Sequence, residues 1–311
     1  MAVTRVGLVG TGRMGTALGE RIIGAGFPLA VHNRTADRTK PLLDLGAQGA
    51  GSPAEVAAAV APPGGESGDA AMVLTVLTDD EAVDQIYTGP DGLLSGARPG
   101  TVFVEASTIR TSTISRLDPL VRATGAGLVD APLAGPPPAA RAGQLLVMAG
   151  GTPDDLALVR PVLETYARRV AHVGAVGAGT TMKLVLMAPM GIYFAGLAEG
   201  LAMGARLGLD RATMLDVILD SHGAPPVLRD RAELLLGAQR PVGFEVSGVR
   251  KDLRAIVATA QDAGVPASTA AAALGLYAGA TVSGYADADL AFIVDYVARL
   301  AAGEAGDGSG R

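Results

Sequence analysis

The densest chemical signal lies near the start of the chain. Gly10-x-Gly12-x-x-Gly15 follows directly on the apolar run Val3–Val9 and opens a helical stretch reaching about Ala25. In such a turn Gly10 permits the tight bend, Gly12 lets a pyrophosphate approach the backbone, and Gly15 lets helix and strand pack closely. Thr11, Arg13 and Met14 complete the loop. The helix that follows offers unbonded N–H groups and a partial positive charge to phosphates. In a chain with 43 glycines the spacing alone is weak. The strand before it and the helix after it favour a dinucleotide site over a structural glycine turn.

The end of the second strand speaks to cofactor choice. A site that prefers NAD places Asp or Glu there for the ribose 2′-hydroxyl. This chain reads His32-Asn33-Arg34-Thr35. An arginine between amide and hydroxyl neighbours suits a dianionic 2′-phosphate, so the sequence predicts NADPH over NADH. The alternative for Arg34 is a solvated arginine beside a helix cap.

These residues need a scaffold, and the first half supplies one. Val3–Val9, Leu29–His32, Ala71–Leu77, Thr101–Glu105 and Gly127–Asp130 read as strands, each followed by turn or helix-start chemistry. Thr35 is the expected cap of a helix Thr35–Leu45, and Ser52-Pro53-Ala54-Glu55 is a capping box. Strands alternating with helices predict a doubly wound parallel sheet covered on both faces. Pro62-Pro63-Gly64-Gly65 and Gly89-Pro90-Asp91-Gly92 mark loops. After Gly179 the strand signal stops. Helices are predicted at 180–207, with a kink at Pro189, and at 211–221, 226–236, 247–263, 269–282 and 289–301. The reading is an α/β domain over 1–174, an all-helical domain over 175–301, and a disordered tail over 302–311.

Composition narrows the function classes. The chain has 311 residues, 49% of them apolar, no tryptophan and a net charge of −6. Without a basic run, nucleic acid and anionic membrane surfaces are poor partners. The absence of cysteine excludes disulfides and a thiol nucleophile, and His32, His172 and His222 are too scattered for a metal site. No secretory signal opens the chain, and the uncharged run Leu184–Ala198 is shorter than the roughly 20 residues of a membrane span. A cytoplasmic protein without a metal is expected. Alanine-rich composition predicts closely spaced helices.

With these motifs assembled, the sequence resembles the β-hydroxyacid dehydrogenase family, which includes 3-hydroxyisobutyrate dehydrogenase, tartronate semialdehyde reductase and glyoxylate/succinic semialdehyde reductase. The likeness runs in register through Gly7–Gly15, Asn33-Arg34-Thr35, Leu77-Thr78, Glu105-Ala106-Ser107-Thr108-Ile109 and Asp130-Ala131-Pro132-Leu133-Ala134-Gly135. It continues through Gly177-x-Gly179-x-x-x-Lys183-Leu184, Phe244, Lys251-Asp252-Leu253 and Gly264-Val265-Pro266. The resemblance implies a Rossmann domain, a long interdomain helix, a helical domain, and assembly as a homodimer or homotetramer. It implies Lys183 as the catalytic lysine. Physically, its stem would lie on apolar surface, its head would face the cleft between domains, and desolvation would bring its amine toward the working range of a general acid or base. The alternative is a lysine snorkelling at a helix start. Leu77, Thr78 and Thr108 match positions on the nicotinamide side, and Lys251 a lysine near cofactor and substrate; its alternative is a solvated lysine on an amphipathic helix.

Two departures concern the substrate. The family reads Asp-Ala-Pro-Val-Ser-Gly-Gly where this chain has Asp130-Ala131-Pro132-Leu133-Ala134-Gly135-Pro136. Ala134 lacks the serine hydroxyl and Pro136 lacks an N–H donor beside Gly135. Met187 stands one helical turn past Lys183, where the family has asparagine. A carboxylate held without those donors would carry a sizeable desolvation cost. The sequence therefore predicts an NADPH-dependent reductase of a carbonyl larger or more apolar than a small 3-hydroxy acid. The alternatives are an imine reductase, although those enzymes commonly carry Asp or Tyr where Lys183 stands, and a catalytically silent NADP-binding protein.

Overall fold

The computed structural model describes residues 2–61 and 69–303. The loop expected at Pro62-Pro63-Gly64-Gly65 and the tail beyond Gly303 lie outside them. Within the expected tail, Ala302 ends the last helix and Gly303 closes it in the left-handed conformation (φ 77°).

Among the described residues nine strands form one sheet: β1 (Ala2–Val9), β2 (Leu29–His32), β3 (Gln48–Gly49), β4 (Asp69–Thr75), β5 (Thr101–Glu105), β6 (Gly127–Asp130), β7 (Leu133–Ala134), β8 (Leu145–Gly150) and β9 (Ala167–Gly174). Their order is β3-β2-β1-β4-β5-β6-β8-β7, with β9 on β8. All pairs from β3 to β6 are parallel, while β8 runs antiparallel to β6 and β7. The centre of the sheet is buried on both faces, as parallel strands feeding crossover helices must be. Val6, Leu8, Met72, Leu74 and Val104 pack on one side, and Val9, Val73, Phe103 and Leu128 on the other. This is a Rossmann-like domain, and a helical domain follows it.

Several sequence boundaries move. β4 starts and ends earlier than Ala71–Leu77, which leaves Leu77 in the loop beyond it. The helix expected at Thr35–Leu45 is a 3₁₀ turn (Ala36–Thr39) followed by a short α-helix (Lys40–Leu43), with no hydrogen bond to the Thr35 side chain. Pro41, which has no N–H to donate, lies at that junction. The capping box does form, with Ser52 accepting from the Glu55 amide. β3, β7, β8 and β9 had no counterpart in the reading. β9 is an edge strand with Arg168 and Arg169 exposed, so its polarity hides it.

The long helix, Ala178–Arg206, is 29 residues and runs through Pro189 as one element. By length and composition it could cross a membrane, which the uncharged run alone is too short to do. Phe194, Ala198 and Leu201 on this helix are buried in a protein core with Leu215, Leu253 and Tyr277. The two compact units of the chain meet between Lys183 and Leu184. The strands end at Gly174, and the first turn of the long helix belongs with the sheet.

In the second unit the expected helix 226–236 divides into Pro226–Arg229 and Ala232–Leu235. Between them Arg231 turns to Asp289, at 2.8 Å. Helices Arg211–Asp220, Val246–Asp262 and Ser268–Ala280 form near their predicted limits. A side-chain carbon at Gly191 would lie 3.2 Å from both Leu253 and Val249. Glycine there lets the long helix approach Val246–Asp262 closely, as the small-residue composition predicts.

Candidate active site

Each parallel strand from β1 to β6 ends on the same edge of the sheet, and the chemistry collects there. The strand order reverses between β1 and β4, and the glycine turn lies at that switch point. Gly10 has φ 96°, and any side chain on it would collide with the Val76 carbonyl oxygen. One on Gly15 would collide with the Gly10 carbonyl oxygen. Gly12 is different: nothing lies within 4 Å of where its side chain would begin. It caps the helix Arg13–Gly24 without a side-chain bond, and the first-turn amides lie beyond the reach of the helix's own carbonyls. The Thr11 hydroxyl is buried and, among the described residues, has no hydrogen-bond partner. An open backbone cradle, first-turn amides and an orphaned hydroxyl fit a dinucleotide pyrophosphate.

Among the described residues around this turn, Arg13 is exposed and Met14 packs partly on the core. Asn33 faces inward: its Oδ1 accepts from the Thr11 amide at 3.0 Å and its Nδ2 donates to the Thr35 carbonyl at 2.9 Å. Asn33 thus ties the end of β2 to the glycine turn. Arg34 and Thr35 are exposed at the end of β2.

A second group joins the ends of β4 and β5. The Leu77 amide donates to Ser107 Oγ at 2.8 Å, which links Leu77-Thr78 to the turn carrying half-buried Thr108. Beneath it, Glu105 accepts from the Ser107 amide at 2.7 Å and from Thr75 Oγ1 at 2.6 Å. Burial pushes the Glu105 carboxyl up to about 7, against those hydrogen bonds.

A third group surrounds Lys183. Asp130, the register partner of Glu105, ends β6. Its carboxylate accepts from the amides of Gly177 at 2.8 Å and Thr180 at 2.6 Å, at the start of the long helix. Burial raises the Asp130 carboxyl to about 6, while the Thr180 and Gly177 amides oppose the rise. Lys183, 8% exposed, donates from Nζ to the Leu133 carbonyl at 2.8 Å. Ala134 and Gly135 follow directly, Gly135 with φ 132°, and Pro136 then caps the short helix Pro137–Arg141. Pro136, Pro137 and Pro138 therefore leave three successive positions without an N–H.

The first unit thus assembles the glycine turn, Asn33, Arg34, Leu77, Thr78, Thr108, Ala134, Gly135 and Lys183. Met187 packs against the second unit's core, and Lys251 lies on Val246–Asp262, 3.1 Å from Asp252. Glu105, Ser107 and Asp130 fall inside motifs quoted from the sequence, where they had no role. An acidic residue ending an apolar strand is the signal that marks two of them, because a buried carboxyl must find donors.

Comparisons with known proteins agree along most of the chain. Residues 5–174 match the NAD binding domain of 6-phosphogluconate dehydrogenase, and residues 177–297 match the family described as NAD-binding of NADP-dependent 3-hydroxyisobutyrate dehydrogenase. The 3-hydroxyisobutyrate dehydrogenase of Pseudomonas aeruginosa is 32% identical over 281 residues, 88% of this chain and 90% of that protein. Chloroplastic glyoxylate/succinic semialdehyde reductase 2 of Arabidopsis thaliana is 27% identical over 295 residues, 95% of this chain and 80% of that one. A solved structure of Mycobacterium tuberculosis 3-hydroxyisobutyrate dehydrogenase with L-serine is 27% identical, with a TM-score of 0.80 over 94% of this chain and 98% of its own.

Proposed function

Because the chain belongs to the β-hydroxyacid dehydrogenase family, we propose that it is an NADPH-dependent reductase of an uncharged carbonyl group, with Lys183 as its proton donor. Nicotinamide-dependent oxidoreduction at hydroxyl and carbonyl groups is the activity of its relatives. The observation that carries the finer reading is the buried amine of Lys183 beside Leu133-Ala134, on the edge of the sheet that also holds the glycine turn.

Bound NADPH supplies the hydride in reduction, and NADP takes it up in the reverse direction. The protein's part is binding and proton transfer. The amides after Gly12 and the Thr11 hydroxyl would hold the pyrophosphate, and Arg34 would pair with the 2′-phosphate. The turns tied together by Leu77 and Ser107 would present Thr78 and Thr108 to the nicotinamide side. In reduction the Lys183 ammonium donates a proton to the substrate oxygen; in oxidation the amine accepts the hydroxyl proton. The Leu133 carbonyl orients Nζ.

The choice of an uncharged substrate rests on the missing donors. Ala134 has no hydroxyl, and three prolines remove the amides that would follow Gly135. A carboxylate set against this segment would lose its hydration without replacement. The same segment suits an uncharged C=N bond equally well, so cyclic imines are the second substrate class, with Lys183 favouring the carbonyl. We further propose that the chain is a homodimer or homotetramer, because Val185 and Met203 on the long helix and Leu207 just past its end are 58%, 64% and 78% exposed.

Steady-state kinetics with NADPH over three panels tests this: small 3-hydroxy acids and their semialdehydes, uncharged aldehydes and ketones, and cyclic imines. Turnover is expected on the uncharged carbonyls. Preference for the acids would overturn the substrate class, preference for the imines would replace it with the second, and tight NADPH binding with no turnover on any panel would make this a silent binding protein.

A further inference from the structure

We infer that Asp130 is a positioning residue for Lys183, fixing the first turn of the long helix so that the amine meets the Leu133 carbonyl. This rests on the reading of Lys183 as the proton donor.

Two grips on the helix come from one segment of chain. Asp130 holds the amides of Gly177 and Thr180 through separate carboxylate oxygens. Three residues further along this segment, the Leu133 carbonyl accepts from Lys183 Nζ. Thr180 and Lys183 are less than one turn apart, about 4.5 Å of helical rise. A shift of the helix start therefore passes almost undiminished to the base of the lysine.

The segment itself is fixed to the sheet. The Ala131 amide donates to the Glu105 carbonyl at 2.7 Å, and the Met148 amide donates to the Pro132 carbonyl at 3.1 Å. The helix start is also pressed against it: a side chain on Gly179 would collide with the carbonyl oxygens of Asp130 and Met148. Leu133 thus holds one position relative to Asp130, and Asp130 holds the helix. The carboxylate offers an acceptor to each of two amides, whereas an asparagine would turn an NH₂ group toward one of them.

The chain has three lysines, Lys40, Lys183 and Lys251. Selective ¹³C-lysine labelling therefore gives three Cε–Hε signals, and Lys183→Met assigns one of them. In full-length Asp130→Asn the Lys183 signal is expected to move while those of Lys40 and Lys251 stay. The kcat should fall roughly 10- to 100-fold, with the NADPH Kd within threefold of wild type. A folded variant with an unmoved Lys183 signal, or a kcat loss accounted for by the unfolded fraction alone, would overturn the inference. If Asp130→Asn does not fold, Asp130→Glu keeps both acceptor oxygens and sets them one methylene away from their place against the Gly177 and Thr180 amides. It should move the same signal and lower kcat, and an unmoved signal there is equally fatal. Should Lys183→Met retain full turnover while Asp130→Asn still moves the Lys183 signal, the proton-donor reading fails and the positional link stands.

Discussion

A methyl group added at Gly12 would enter space that holds no protein atom within 4 Å, at a residue whose φ of −68° any side chain can adopt. The fold should tolerate it. Alanine is a poorer helix cap than glycine, and the loss should be about 1 kcal/mol, a shift of about 2–4 °C in Tm. The same methyl would stand between the first-turn amides and a bound pyrophosphate. Loss of one charge-assisted hydrogen bond costs about 1.5–3 kcal/mol, or roughly 10- to 150-fold in Kd. NADPH fluorescence titration of Gly12→Ala beside its melting curve separates the two effects. Gly15→Ala, which would collide with the Gly10 carbonyl, should lose folding instead. A Gly12→Ala protein that binds NADPH within twofold of wild type would refute the cradle, and one that unfolds would refute the open space above it.

Arg34→Ala should weaken NADPH by roughly 10- to 150-fold and leave NADH within about threefold, so the ratio of the two Kd values reads the 2′-phosphate contact; an unchanged ratio would return Arg34 to the solvent. Lys183→Met should lower kcat roughly 100- to 10,000-fold with NADPH affinity kept, and a smaller loss in stopped-flow or steady-state assays would move the proton to another group. Stability should also carry the mark of Glu105. Its folded carboxyl holds a proton up to about 7, above its ordinary value of 4.5. The folded state thus binds that proton more tightly, and its contribution, full below about 4.5, is lost as pH rises through about 7. Glu105→Gln removes this titration, so urea midpoints from pH 4.5 to 8 should show the variant gaining on wild type as pH rises; parallel curves would contradict the burial argument.

Much of the dinucleotide half was legible from local chemistry. The Gly10–Gly15 spacing after an apolar strand needs only a bend, a close approach and a helix start, and all three are short-range properties of glycine and of backbone amides. The missing acid after His32 is likewise read in place. β9 escaped because an edge strand with exposed arginines has no strict apolar period, and Thr35–Leu45 did not form as one helix because Pro41 falls inside it.

What the sequence alone determined is the strand-turn-helix that can bind a dinucleotide and the family to which the whole register points. Only the tertiary structure decided where the lysine amine goes, because Leu133 and Lys183 are 50 residues apart and meet through a backbone carbonyl, which has the same chemistry at every position. It also decided the roles of Asp130 and Glu105. A carboxyl at a strand end is an ordinary surface group until the sheet buries it. Once buried, it must take hydrogen bonds from whatever amides and hydroxyls the fold sets beside it, and those donors are far away in the chain.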